Sequence, residues 1–217
     1  MEKTTVLNPT NSLATVMGFT RYEKREDATS EALMSASMNW QRDFLSQQEG
    51  VVMHCLLGNL KGQFADAILA VDSAAYANMT EQYMKDESAQ ALMALIEPES
   101  IRPAQNLILK QGVQAPSDFS CIEFGTFQPK ENADFSESKM LAVSKRLEEG
   151  YIAKFSQSRE HFLSKVDEDT YSEIAFVQTM GAAREICNGY LEDSIGQELL
   201  SMLEPTSFDL DFWFVLA

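Results

Sequence analysis

The chain has 217 residues, with 17 Lys and Arg against 33 Asp and Glu, for a formal net charge of −16. Its 45% hydrophobic and 23% charged residues describe a folded chain that can bury a core, as one large domain or two small ones. The acidic balance excludes general nucleic-acid binding and electrostatic attachment to anionic membranes, and no apolar run reaches the ~18–20 residues of a membrane span.

Residues 1–11 lack the basic head and apolar stretch of an export signal, which predicts a cytoplasmic protein. Residues 13–22 then read as a strand. Residues 30–48 read as a helix whose Leu33, Ala36, Trp40 and Phe44 follow steps of three and four on one face. Gly50 ends that helix. The β-branched run 51–57, the turn Gly58-Asn59-Leu60-Lys61-Gly62 and the run 64–71 read as a hairpin. A second helical region spans 74–96, with a break near Asp86–Ser88 where Ser88 is expected to cap a new segment. Pro98 stops it, and 104–109 is a closing strand. Residues 111–118, with Gly112 and Pro116, form a linker. The remainder repeats the order: strand 121–127, helix 136–155 with Met140, Leu147 and Tyr151 inward, strands 161–166 and 172–178, helix 182–203 and strand 209–216.

The repetition is literal in places. The block from Tyr83 to Pro98 returns 107 positions later, from Tyr190 to Pro205, with Tyr, Asp, Gln, Leu, Glu and Pro at fixed places. The same ungapped offset pairs Gly18 with Gly125, Asp27 with Asp134, His54 with His161 and Asp66 with Glu173. The chain therefore reads as a tandem duplication, with repeats at 12–110 and 119–217. Each repeat has the βαββαβ order of a ferredoxin-like module, whose sheet carries helices on one face only. The expected fold is α+β, with the two antiparallel sheets packed face to face as an α+β barrel and the helices outside. Such a chain is a monomer with an internal pseudo-dimer, or a homodimer of such units.

Two ferredoxin-like repeats of this length, with long second helices ending at Glu97-Pro98 and Glu204-Pro205, resemble the dimeric α+β barrel superfamily. The branch in question is antibiotic biosynthesis monooxygenase-like, here in a tandem single-chain form. The resemblance implies a cavity between sheet and helices for a small organic molecule or haem. It also implies activities such as cofactor-free oxygenation, haem degradation or lactone isomerisation. The haem-degrading branch places its His on a helix, whereas both histidines here fall in predicted strands.

Several residues carry candidate chemistry. His54 and His161 are the only histidines and are equivalent by the offset; each is a candidate proton-transfer group or a structural residue bonded to backbone. Apolar Val51-Val52-Met53 precedes His54 and polar Ser158-Arg159-Glu160 precedes His161, so only one of the pair is expected to be buried. The strand carboxylates Glu123 (between Ile122 and Phe124), Asp66 and Glu173 are expected to alternate outward to solvent; pointed into an apolar barrel instead, each would have a raised pKa and could act as acid or base. Hairpins symmetric about their turns are expected to set each histidine and its carboxylate on opposite faces. Phe124, Phe212, Trp213 and Phe214 are candidates to line a cavity for a flat apolar ligand. Cys55, Cys121 and Cys187 fit neither a disulfide framework nor a zinc site and read as buried or half-buried thiols.

The expected function is binding of a small apolar or aromatic molecule, with cofactor-free monooxygenation or isomerisation as the implied chemistry. In that scheme His54 or His161 is the base, Glu123 assists, and residues 212–214 exclude water. No cofactor and no metal is called for. The alternatives are a non-catalytic ligand-binding or scaffold protein with a filled barrel and, third, a haem-binding protein.

Overall fold

Eight strands and six helices are present among the described residues of the computed structural model, which covers residues 7, 12–130 and 135–217. Asp134, the repeat partner of Asp27, and residues 1–6 and 8–11 lie outside them. In the first half the order is β1 (Val16–Tyr22), α1 (Ser30–Asp43), β2 (Val51–Gly58), β3 (Phe64–Ala70), α2 (Ser73–Tyr83), α3 (Glu87–Met93) and β4 (Arg102–Ile108). The second half follows with β5 (Cys121–Phe127), α4 (Glu137–Gly150), β6 (Ser158–Lys165), β7 (Tyr171–Val177), α5 (Met180–Gly189), α6 (Ser194–Ser201) and β8 (Asp209–Val215). From α1 onward, every helix and strand of the first half starts 107 residues before its counterpart, as with Ser30 and Glu137 or Arg102 and Asp209.

The strands pair antiparallel and close into an eight-stranded barrel in the order β1-β3-β2-β8-β5-β7-β6-β4. The fold is α+β. The chain divides into two compact units that exchange short strand ends. Val215–Ala217 belong to the first unit, where Leu216 N donates to Leu56 O at 2.8 Å. Ile108–Gln111 belong to the second, where Leu109 N donates to Leu163 O at 3.0 Å.

The helices start where side chains can satisfy their first amides. Thr29 caps α1 by accepting from Ala32 N at 3.1 Å, and Asp72 caps α2 by accepting from Ala75 N at 2.8 Å. The expected break after α2 occurs, but its cap is Asp86 rather than Ser88. Asp86 stands one residue before α3 and accepts from Ala89 N at 2.9 Å, while Ser88 already lies inside the helix and its hydroxyl donates to Asp86. Both long first helices end earlier than their apolar pattern, finishing in 3₁₀ turns at Leu45–Gln47 and Ile152–Lys154. Gly50 follows the first of these at φ +80°, a conformation that disfavours any residue with a Cβ.

One side of each sheet packs on its helices. In the first unit Leu33, Trp40 and Phe44 of the first helical segment meet Tyr22, Leu56, Phe64 and Ile68 of the sheet, with Met79, Leu92 and Ile96 completing the core. In the second, Met140, Leu147 and Tyr151 meet Phe127, Leu163, Tyr171 and Ala175, with Ile186, Tyr190, Leu199 and Leu203 above. Each fully buried large side chain contributes roughly 1.5–3 kcal/mol. The thiols are buried at Cys55 and Cys121 and half-buried at Cys187. Among the described residues no helix is long and apolar enough to cross a membrane.

Candidate functional site

The expectation that each histidine and its carboxylate lie on opposite faces is overturned. The β2–β3 register sets His54 opposite Ile68 and Leu56 opposite Asp66. Direct partners across a ladder share a face, and so do residues two apart along a strand, so His54 and Asp66 are diagonal neighbours on one face. The β6–β7 register repeats this, with His161 opposite Ala175 and Leu163 opposite Glu173. Both pairs point toward the helices. Both histidines are buried, at 1% and 3% exposure, because the helices of each unit cover that face whatever the polarity of the preceding residues. Asp66 and Glu123 are buried too, and Glu173 half-buried, rather than turned to solvent.

His54 Nε2 lies 2.9 Å from Asp66 Oδ1 and Nδ1 lies 2.9 Å from Gln41 Oε1. Both ring nitrogens are thus engaged by side chains, and the tautomer of His54 sets which of them donates. Trp40 packs edge-on to the imidazole, 5.1 Å between centroids. α1 therefore supplies two adjacent residues that fix the histidine, and the histidine fixes the carboxylate.

Asp66 opens on a cavity of about 200 Å³ inside the first unit. Ile68, Met79, Met93 and Ile96 form its apolar wall, and Tyr22, Trp40, Tyr76 and Tyr83 its aromatic one. Apolar cavities on the order of 150 Å³ accept benzene, so the space suits a single substituted ring. Two buried polar atoms of this wall, Tyr22 Oη and Trp40 Nε1, have no hydrogen-bond partner. Burial pushes the Tyr22 phenol well up, and Asp66 pushes it further through its charge and its nearby acceptor oxygens. Burial and the Asp66 charge also raise Tyr76 and Tyr83, so three neutral phenols surround the carboxylate. Gly18 makes room for this wall, since a Cβ there would overlap the ring and hydroxyl of Tyr76.

The second unit carries a different polar arrangement. His161 Nδ1 lies 3.1 Å from Glu148 Oε1 and Nε2 lies 2.8 Å from Glu173 Oε1. Burial lowers its pKa, but hydrogen bonds to two carboxylates outweigh this and raise it to about 9. His161 is thus an imidazolium near neutral pH, with no lone pair to accept a proton. Lys110 joins the cluster through Glu148 and Glu160, both at 2.7 Å. Glu123 is buried, with its pKa raised to about 8 by burial and by Glu173, while a hydrogen bond from the Cys187 thiol opposes the shift.

The four aromatic candidates divide between two faces. Phe212 lies opposite Glu123 and Phe214 opposite Cys121, on the helix side, and Arg184 stands over the Phe212 ring at 5.5 Å. Trp213, opposite Ile122, and Phe124 point the other way. None of them, nor Glu123, borders the first-unit cavity. Of the residues that do border it, Asp66 was weighed from sequence as a strand carboxylate, but Trp40 passed as helix stripe, Tyr83 as the start of the repeated block, and Tyr22 and Tyr76 were given no role. A signal was present. At the +107 positions Trp40 and Tyr76 become Leu147 and Ala183 within an otherwise matched pattern, whereas Tyr22 lies in the one strand outside that offset and corresponds by register to Phe127.

No protein-family profile matches the chain, and no curated protein matches it by sequence. Solved structures do match in fold. A candidate monooxygenase from Fusobacterium nucleatum aligns at TM-score 0.66 with 11% identity, over 94% of each chain. A ferredoxin-fold protein of Listeria monocytogenes related to antibiotic biosynthesis monooxygenases aligns at 0.55 with 10% identity, over 97% of this chain and 99% of that one. A haem-binding protein of Thermus thermophilus aligns at 0.64 with 8% identity, over 94% and 92%. This chain has the fold of the antibiotic biosynthesis monooxygenase-like ferredoxin-fold proteins. The residues present do not fit haem. Both ring nitrogens of His54 and of His161 are engaged by side chains, and the first-unit cavity is sized for one ring rather than a tetrapyrrole.

Proposed function

We propose that this chain binds a small, largely apolar aromatic molecule in the cavity of its first half, and that Asp66 is the group that takes a proton from it. The observation that carries this reading is the alignment of Gln41, His54 and Asp66, with only Asp66 reaching the cavity. A carboxylate in an apolar chamber is a base shielded from competing water. His54 is a positioning residue, holding one carboxylate oxygen through Nε2. A substrate anion formed there is returned a proton at another carbon, an isomerisation, or is oxidised by dioxygen, a cofactor-free oxygenation. The monooxygenase descriptions of the fold neighbours support this chemistry by analogy only.

On the same reading the chain is a cytoplasmic tandem duplication, with repeats at 12–110 and 119–217 acting as an internal pseudo-dimer. The second half is then a scaffold copy whose interior is filled by its own side chains.

Proton abstraction is tested by deuterium exchange. Enolisable aryl ketones that fit one or two rings, such as 1-indanone and α-tetralone, are incubated with the protein in D₂O and followed by NMR. Wild type is expected to accelerate exchange on at least one of them, and Asp66→Asn to lose about 10²–10⁴-fold of that acceleration. Exchange at the buffer rate for every ketone, or undiminished exchange by the variant, removes Asp66 from the role.

A further inference from the structure

The second half contains, built into its own chain, what the first half lacks. Tyr190 is buried and its hydroxyl donates to Glu173 Oε1 at 2.9 Å. Tyr151 stands edge-on beside it at 5.7 Å and donates its hydroxyl to Ile186 O at 2.8 Å. A phenol ring thus occupies the space above the strand carboxylate, with every polar atom of the pair satisfied. At the matching positions of the first half stand Asp66, one methylene shorter than Glu173, and Phe44, which has no hydroxyl. Tyr83, the counterpart of Tyr190, is turned edge-on to Trp40 at 5.4 Å and makes no hydrogen bond to Asp66. The first half adds two buried donors with no partner at hydrogen-bond distance, Trp40 Nε1–H and Tyr22 Oη–H, the latter near enough to Asp66 to feel its acceptor oxygens. A native interior leaves few such groups unpaired, and two in one cavity beside a carboxylate mark a missing partner.

Resting on the reading of this cavity as a ligand site, we propose that it takes one neutral, hydroxyl-bearing aromatic molecule per chain. The ligand hydroxyl donates to Asp66 as the Tyr190 hydroxyl donates to Glu173, and its oxygen lone pairs accept from Tyr22 and Trp40. A single phenolic oxygen has the one donor and two acceptor sites that this set requires. The second half takes none, because Tyr190 is its occupant. Tyr22 and Trp40 are accordingly the residues that discriminate a phenol from a hydrocarbon of the same shape.

Calorimetric titration of the full chain with phenol, and separately with toluene, tests the assignment. Phenol is expected to bind at one site per chain and about tenfold or more tighter than toluene. Tyr22→Phe and Trp40→Phe are each expected to weaken phenol about three- to tenfold and to leave toluene within about twofold. Equal affinity for phenol and toluene, two phenols per chain, or variants that weaken both probes alike would overturn the proposal while leaving an apolar ligand cavity standing. Failure of both probes to bind removes the cavity reading with it.

Discussion

Tyr22 and Asp66 both face the first-half cavity. The Tyr22 hydroxyl is buried close enough to Asp66 to feel its charge and its acceptor oxygens, yet no partner lies at hydrogen-bond distance, so its desolvation is poorly compensated. Removing it should therefore help the empty protein. Tyr22→Phe is expected to raise stability by about 1 kcal/mol in urea titrations, with no change in the slope, even as it weakens phenol. A loss of stability would mean that the hydroxyl is satisfied in solution. His54 shows what sequence could and could not tell at this scale. Its equivalence to His161 was readable from the offset of 107. Their difference was not, because it depends on Gln41 against Glu148, thirteen residues upstream on another element, which only the packed helix brings to the ring. Parity along each hairpin did contain the His–carboxylate contact, since an even separation across an even register keeps two residues on one face. That relation was assigned the wrong way round.

Elements were more legible than sites. Helix starts are set by caps that act locally, as at Thr29 and Asp72, neither of them singled out from the sequence; α3 ends at Met93, ahead of Pro98, which opens a 3₁₀ turn instead. The ends of the first helices were hard to read as well, because the apolar pattern runs on through the 3₁₀ turns after α1 and α4. The short α3 is the most exposed to a capping change. It has seven residues, too few to persist without help, and its Met93 belongs to the cavity wall. Asp86→Ala removes the acceptor for Ala89 N and is expected to cost about 1 kcal/mol, read as a fall of about 2–4 °C in Tm. The matching Asp193→Ala at α6, where Asp193 accepts from Ile195 and Gly196, is expected to cost a similar amount. An unchanged Tm for both would show that tertiary packing alone sets these two helices.

The whole molecule should respond to pH through the second half. Glu123, raised to about 8, holds a proton in the folded protein that the unfolded chain releases near 4.5, so stability falls as pH rises between those values. His161, raised to about 9, contributes stability that is complete below about 6.5 and lost as pH rises through 9. Both act in the same direction from about pH 6.5 to 8. Each proton difference is worth up to about 1.4 kcal/mol per pH unit, or about 2–4 °C. Thermal melts are expected to show a lower Tm at pH 9 than at pH 6, and Glu123→Gln to flatten the decline. A Tm that rises over this range would show that neither group holds its proton as the geometry requires.

The acidic surplus of the sequence says nothing of the chamber in the first half, which composition could not reveal. The claim on which everything else depends is that this open, apolar chamber lies beside Asp66 and that Tyr190 fills the matching space beside Glu173. Diffraction from crystals held under xenon pressure measures it directly, since xenon enters dry apolar cavities. The account predicts xenon density among Ile68, Met79, Met93 and Ile96, beside Asp66, and none around Tyr151, Ile186 and Tyr190. Xenon absent from the first site, or equally present at both, would contradict it.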